Sequence, residues 1–293
     1  MDAMSDTSPA EHVPAPAIRT AVVTGASSGI GRTTAALLAS RGWRVLAVAR
    51  RAERLEALAA ETGCLAHAAD LTSDEDVAAL AAAVRELGGA HALVNVAGGA
   101  IGAESVEAGS IDDWRRMFEM NVIATKRVVT ALLPELRRAA AAEAEDGAEF
   151  AHADVLTVTS TAATTPYEGG AGYNAAKAAE RMLVRVLRLE LAGEPIRVLE
   201  IAPGMVMTEE FSTVRYRGDE QAAAKVYAGV DHPLTAEDVA ASIVGALELP
   251  GYVNIDELVV RPVAQAAQHK VVREPLAVKD APTTDAASQG PGR

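Results

Sequence analysis

Residues 21–31 read AVVTGASSGIG, and the fold is decided in that stretch. The run Ala21–Thr24 is short, apolar and β-branched, which suits a buried strand. It passes without a spacer into Gly25-Ala26-Ser27-Ser28-Gly29-Ile30-Gly31, and a helical pattern then continues to Ser40 with Gly42 beyond its end. Such a strand-turn-helix unit aims backbone N–H groups and the positive end of a helix dipole at one point, where glycines let a pyrophosphate approach. A dinucleotide is therefore expected at Gly25, Ser27, Ser28, Gly29, Ile30 and Gly31. A glycine-rich turn alone is weak evidence, and its place after the first strand strengthens it.

From Ile18 to about Pro262, similar runs alternate with longer alanine-rich amphipathic stretches. Strands are expected at Arg44–Ala49, Cys64–Ala68, Ala92–Val96, Asp154–Thr159, Arg197–Ile201 and Asn254–Arg261, with helices between them. That alternation predicts an α/β chain, a single-domain Rossmann-type doubly wound parallel sheet of about seven strands flanked by helices. A length of 293 residues suffices for one such core. Helix starts are marked by Thr72/Glu75, Ser110/Asp113 and Thr235/Asp238. Residues 139–153 form an acidic insertion, read as an extended helix end and a solvated loop. Residues 1–17 and 268–293 carry too little apolar bulk to pack and are expected to be disordered, leaving 18–267 as the domain.

The composition narrows the function classes. Although 49% of residues are hydrophobic, no apolar run reaches the roughly 18 residues that span a bilayer, so a soluble protein with no membrane partner is expected. The amino terminus carries Asp2, Asp6 and Glu11 and lacks the order of a secretory signal, which points to the cytoplasm. One cysteine, Cys64, excludes an intrachain disulfide, and with scattered histidines it disfavours a zinc or other metal site. A formal charge of −13 makes nucleic acid an unsuitable partner.

Chemistry-bearing residues collect at the expected carboxyl ends of strands, where open α/β sheets bind ligands. Arg50 and Arg51 follow the second strand, where an NAD-selective enzyme often carries an acid. They read either as ligands of the 2'-phosphate of NADP(H), Arg50 first and Arg51 second, or as the solvated start of the next helix. Asp70 and Leu71 follow the third strand; Asp70 meets an adenine or merely caps a turn. Asn95, Ala97 and Gly98 follow the fourth, with Asn95 bracing the turn or the cofactor. Tyr173 and Lys177, four apart on a helix expected from Gly172 to Leu191, project from one face, and Ser160 ends the fifth strand. Reducing a carbonyl requires a hydride and a proton. Tyrosine, with a pKa of about 10, can exchange that proton near neutrality if an adjacent ammonium stabilises its phenolate. Lys177 supplies the ammonium and Ser160 a hydrogen bond to the substrate oxygen. Asn121 holds a water that relays protons through Lys177, or else is a polar kink in a long helix.

Taken together, TGASSGIG at 24–31, Asn95-Val96-Ala97-Gly98, Asn121, Ser160 and Tyr173-Asn-Ala-Ala-Lys177 resemble the short-chain dehydrogenase/reductase family over about Ile18 to Pro262. The resemblance implies hydride transfer at the nicotinamide C4 and cofactor contacts from Tyr173 and Lys177. It also implies a loop of Pro203, Gly204, Val206 and Thr208 over the nicotinamide carboxamide and phosphates, and homotetramers built through the helices of Asn121 and Tyr173. The stretches 202–206, 208–216, 234–239 and 252–256 are similar to the NADP-dependent 3-hydroxy acid dehydrogenases, whose substrates include serine and allo-threonine. Arg215, in the loop after Thr208, is the expected partner of a substrate carboxylate. Two alternatives stand beside that reading: a biosynthetic ketoreductase for bulkier carbonyls and a nucleotide-sensing protein without turnover. The sequence departs from the family where Val96 replaces a second asparagine, and in the acidic insertion and long tails.

Overall fold

The strand β1 (Thr20–Thr24) is buried at every residue, and its alternate side chains serve two different cores. Val23 faces a cluster with Leu38, Leu55, Ile243 and Leu247. Val22 faces another with Leu80, Leu132, Leu136 and Val184. Only a strand covered on both faces shows this pattern, because successive side chains point to opposite sides. The computed structural model describes residues 18–278; the leader expected at 1–17 lies outside them, as does the tail from 279 onward.

Beside β1 lie β2 (Arg44–Ala49), β3 (Leu65–Ala68), β4 (Ala92–Asn95), β5 (Ala153–Val158), β6 (Ile196–Pro203) and β7 (Leu258–Val260). All seven are parallel, in the order β3-β2-β1-β4-β5-β6-β7. One face is covered by α1 (Gly29–Ser40), α2 (Ala52–Thr62) and α9 (Ala236–Leu247). The other is covered by α3 (Asp74–Glu86), α5 (Ala124–Glu145) and α6 (Ala171–Glu190). Three shorter helices, α4 (Ile111–Phe118), α7 (Phe211–Arg215) and α8 (Glu220–Tyr227), lie in the connections. The strand order reverses beside β1, since β2 and β3 lie on one side and β4 onward on the other. A crevice opens at such a switch point, over the carboxyl ends of the strands.

Local differences from the sequence reading have physical causes. Strand β7 has three residues, not the eight expected from Asn254, because the Asn254 amide stands in for ladder bonds: its Oδ1 accepts from Val198 N at 2.9 Å and its Nδ2 donates to Val198 O at 3.2 Å. Helix α3 is capped by Ser73, whose hydroxyl accepts from Asp76 N, and not by Thr72, which is bonded to Asp70. Ser110 precedes α4 without a side-chain cap, whereas Thr235 and Asp238 form a full capping box. Residues 268–278 are not disordered. Strand β8 (Gln265–Ala267) pairs with β9 (Lys270–Val271), and Arg273 donates to the carbonyls of Val226 and Ala228 at 3.2 and 2.7 Å. A guanidinium on backbone carbonyls supplies the anchorage that apolar bulk does not. In the insertion, α5 runs to Glu145, and Glu143 turns back to Arg19 and His91.

Candidate active site

A cleft of about 1250 Å³ lies over the carboxyl ends of the strands. Its floor is the turn between β1 and α1. Gly25 has φ +68°, which strains any residue with a Cβ. Gly31 meets the Gly25 carbonyl so closely that a Cβ there would fall inside van der Waals contact of it. Helix α1 carries no acid in its first turn, and its N-cap residue Ser28 makes no capping bond, so its leading N–H groups face the cleft without a side-chain partner. Gly25, Ser27, Ser28, Gly29, Ile30 and Gly31 all line the cleft.

The brace between the two halves of the crevice is Thr24, which the sequence reading missed. Its hydroxyl accepts from the N–H groups of Val96 and Ala97 at 3.0 and 3.1 Å. The turn after β4 is therefore tied although an apolar Val96 replaces asparagine. Ala97 and Gly98 line the cleft, but Asn95 lies buried beneath it with its amide toward Thr157.

Arg50 is exposed at the cleft's rim, whereas Arg51 reaches back. Its guanidinium donates to Ser27 Oγ and Ser28 Oγ at 2.8 and 2.9 Å and pairs with Glu210 at 2.8 Å. Glu210, also paired with Arg54, is a cleft residue that local sequence gave no reason to select. Asp70 and Leu71 line the cleft too. The Asp70 carboxylate accepts from the backbone and hydroxyl of Thr72, which hold it below the usual carboxylate range, so it does form the turn cap.

On the opposite wall, Tyr173 and Lys177 are both buried and both face the cleft from α6. Ser160, at the end of β5, lines it beside them and accepts from Ala162 N at 3.1 Å. The Tyr173 ring meets Phe211 edge-on, centroids 5.7 Å apart. The Lys177 ammonium donates to Val158 O at 3.1 Å and to the buried Glu180 at 2.6 Å. Burial works against that charge, but the Glu180 carboxylate, with Tyr173 and Glu200, raises the lysine above its ordinary range. Asn121 sits in a π-helical turn, Glu119–Ile123, between α4 and α5. Its amide is engaged by backbone, donating to Gly99 O and Met117 O and accepting from Gly99 N. The side chain thereby braces the β4 loop against the π-helical turn.

The remaining wall comes from the chain after β6. Pro203, Gly204, Val206 and Thr208 line it, joined by Phe211, Tyr227, Gln265 and Arg273, which the sequence reading left out. Arg215 lines it as well, donating to Gly102 O, Tyr167 OH and Gly169 O at 3.3, 2.9 and 2.9 Å. Three of the five guanidinium N–H donors are thereby engaged and two remain. Among the described residues, no cluster of His, Cys, Asp and Glu is arranged to hold a metal, and no helix is long and apolar enough to cross a membrane.

This geometry has close counterparts. The short chain dehydrogenase family model matches residues 19–217. An uncharacterized oxidoreductase of Mycobacterium tuberculosis is 49% identical over 258 residues, covering 88% of this chain and 96% of the relative. A serine 3-dehydrogenase of Agrobacterium fabrum is 39% identical over 260 residues, covering 87% and 98%. Among solved structures, the closed form of a serine dehydrogenase complexed with NADP+ superposes with a TM-score of 0.78 at 32% identity, covering 89% of this chain and all of that one.

Because nothing but hydrogen fits at Gly31, Gly31→Ala is expected to open the turn and weaken NADPH binding at least about tenfold, ~1.4 kcal/mol. A fluorescence titration measures it, and a dissociation constant like that of the unaltered protein would contradict the close-approach account.

Proposed function

The chain belongs to the short-chain dehydrogenase family, and on that premise we propose that it interconverts a small 3-hydroxy acid, such as serine or 3-hydroxypropionate, with its carbonyl compound using NADP(H). The observation that carries this reading is the convergence of Tyr173, Lys177 and Ser160 on one cleft wall opposite the glycine turn. The residues present fit the cofactor. An acid-free helix start and the close-packed glycines suit a pyrophosphate, and a rim with Arg50 and Arg51 suits the extra phosphate of NADP over the ribose hydroxyls of NAD. When bound, the nicotinamide supplies or accepts the hydride.

The protein's own groups handle the proton. Tyr173 passes it to the alkoxide or takes it from the alcohol, as general acid or base. Lys177 stabilises the phenolate, and the Ser160 hydroxyl, which uses only a lone pair on Ala162, keeps its hydrogen for the substrate oxygen. The two open N–H donors of Arg215 take the carboxylate. Arg50 binds the 2'-phosphate, with Arg51 second because Glu210 and two serines already engage it. Helix α6 leaves Met182, Val186 and Leu189 exposed, which supports assembly as a homotetramer through α5 and α6. A lone buried thiol suits a cytoplasmic location.

A panel of hydroxy acids, semialdehydes and bulkier ketones, assayed by NADPH absorbance, tests the reading. Small 3-hydroxy acids should give the highest kcat/KM, and Tyr173→Phe should lower kcat by about 10²–10⁴ with the melting temperature unchanged; full activity in that variant would end the proposal. For Arg50→Ala, KM for NADPH should rise about tenfold with KM for NADH little altered, and unchanged selectivity would remove Arg50 from the phosphate site. Arg215→Ala should raise KM for 3-hydroxypropionate about tenfold or more. An unaffected KM assigns the carboxylate elsewhere.

A further inference from the structure

Lys177 does not face the cleft as an isolated ammonium. Glu180, one turn along α6, lies 2.6 Å from Nζ, and both side chains are buried. The other carboxylate oxygen, Oε1, lies 3.2 Å from the Thr125 hydroxyl, which is also 2.8 Å from the Asn121 carbonyl. A hydroxyl has one hydrogen, so Thr125 serves one acceptor at a time. The carboxylate is therefore wedged between the lysine and the π-helical turn, on the far side of the ammonium from the cleft.

We propose that Glu180 is a positioning residue that, through its ion pair with Lys177, sets the pH at which Tyr173 exchanges its proton. The inference rests on the assignment of Tyr173 and Lys177 above. An ammonium beside a phenol favours the phenolate, and a carboxylate close behind that ammonium offsets part of the effect, since the phenol then faces a pair and not a lone cation. The pair also keeps the ammonium in place: Val158 O and Glu180 take two of its three N–H donors and leave one for the cleft.

Other charged and titratable groups around the pair are few. On α6 itself they are Tyr173 and Arg181; the latter pairs with Glu200 and Glu257. From β6 comes Glu200, buried and bonded to Thr159 of the segment after β5. The π-helical turn and α5 contact the pair through the neutral Thr125, itself bonded to the Asn121 carbonyl, while Glu119 of that turn pairs with Arg127 at 3.1 Å. Burial raises Glu180 above the usual carboxylate range, and Lys177 and Thr125 oppose that rise. Its charge is thus sensitive to the two contacts that hold it.

The test is the pH profile of kcat/KM for alcohol oxidation, where phenolate is the active form and activity rises with pH. Glu180→Gln keeps the shape and removes the negative charge. Its acid limb should move to lower pH by about one unit, while Glu180→Asp should restore the original position. Thr125→Val removes a donor that stabilises the carboxylate, and should move the limb in the same direction by less. This second variant carries the test if Glu180→Gln does not fold. Profiles that coincide with that of the unaltered protein, or move to higher pH, overturn the proposal. If Tyr173→Phe is inactive while those profiles coincide, the role of Glu180 alone fails; if Tyr173→Phe is fully active, the underlying assignment fails.

Discussion

Helix α1 begins so close to the end of β1 that no side-chain atom fits between Gly31 and the Gly25 carbonyl, and the cleft depends on that approach. A wider turn would lift the helix start and its N–H groups away from the strand ends. The sheet makes this location useful, because the strand order reverses beside β1 and leaves a crevice there. Thr24 then ties both sides of the crevice with one hydroxyl, accepting two N–H groups from the β4 loop. The glycine turn and the β4 loop are thus referenced to a single strand.

The opposite wall is built on buried charge. Lys177, Glu180, Arg181 and Glu200 are all buried, a costly arrangement unless each finds partners. Lys177 and Glu180 hold each other, and Arg181 faces Glu200 and the less buried Glu257. Glu200 is only partly satisfied: Thr159 donates to one oxygen at 2.6 Å, and the other has no hydrogen-bond partner. Burial accordingly raises Glu200 above the usual carboxylate range. Charges in such surroundings interact more strongly than on a wet surface.

Legibility in the sequence followed locality. The unit β1-turn-α1 was readable because its signals are consecutive, and the Tyr173–Lys177 pair because helical spacing puts both on one face. Strand β7 was overextended because Asn254 imitates a strand partner with its side chain, and no periodicity distinguishes a side-chain amide from a backbone one. Thr72 looked like a cap until Asp70 engaged it. Glu180 gave no signal, because a lysine–glutamate pair three apart commonly marks a solvated helix surface; only the packing of α6 against the π-helical turn and β6 buries it. Glu210 meets Arg51 across 159 positions, beyond any local pattern.

The family match ends at residue 217, yet the cleft wall continues through Val226, Tyr227, Gln265, Gln268 and Arg273. Arg273 fastens the late chain to the carbonyls at the end of α8. The cleft is therefore built from the matched stretch and from chain beyond it. Substitutions after residue 217 can reshape that wall while Ser160, Tyr173 and Lys177 keep their positions, so clefts can diverge between relatives that share those three residues.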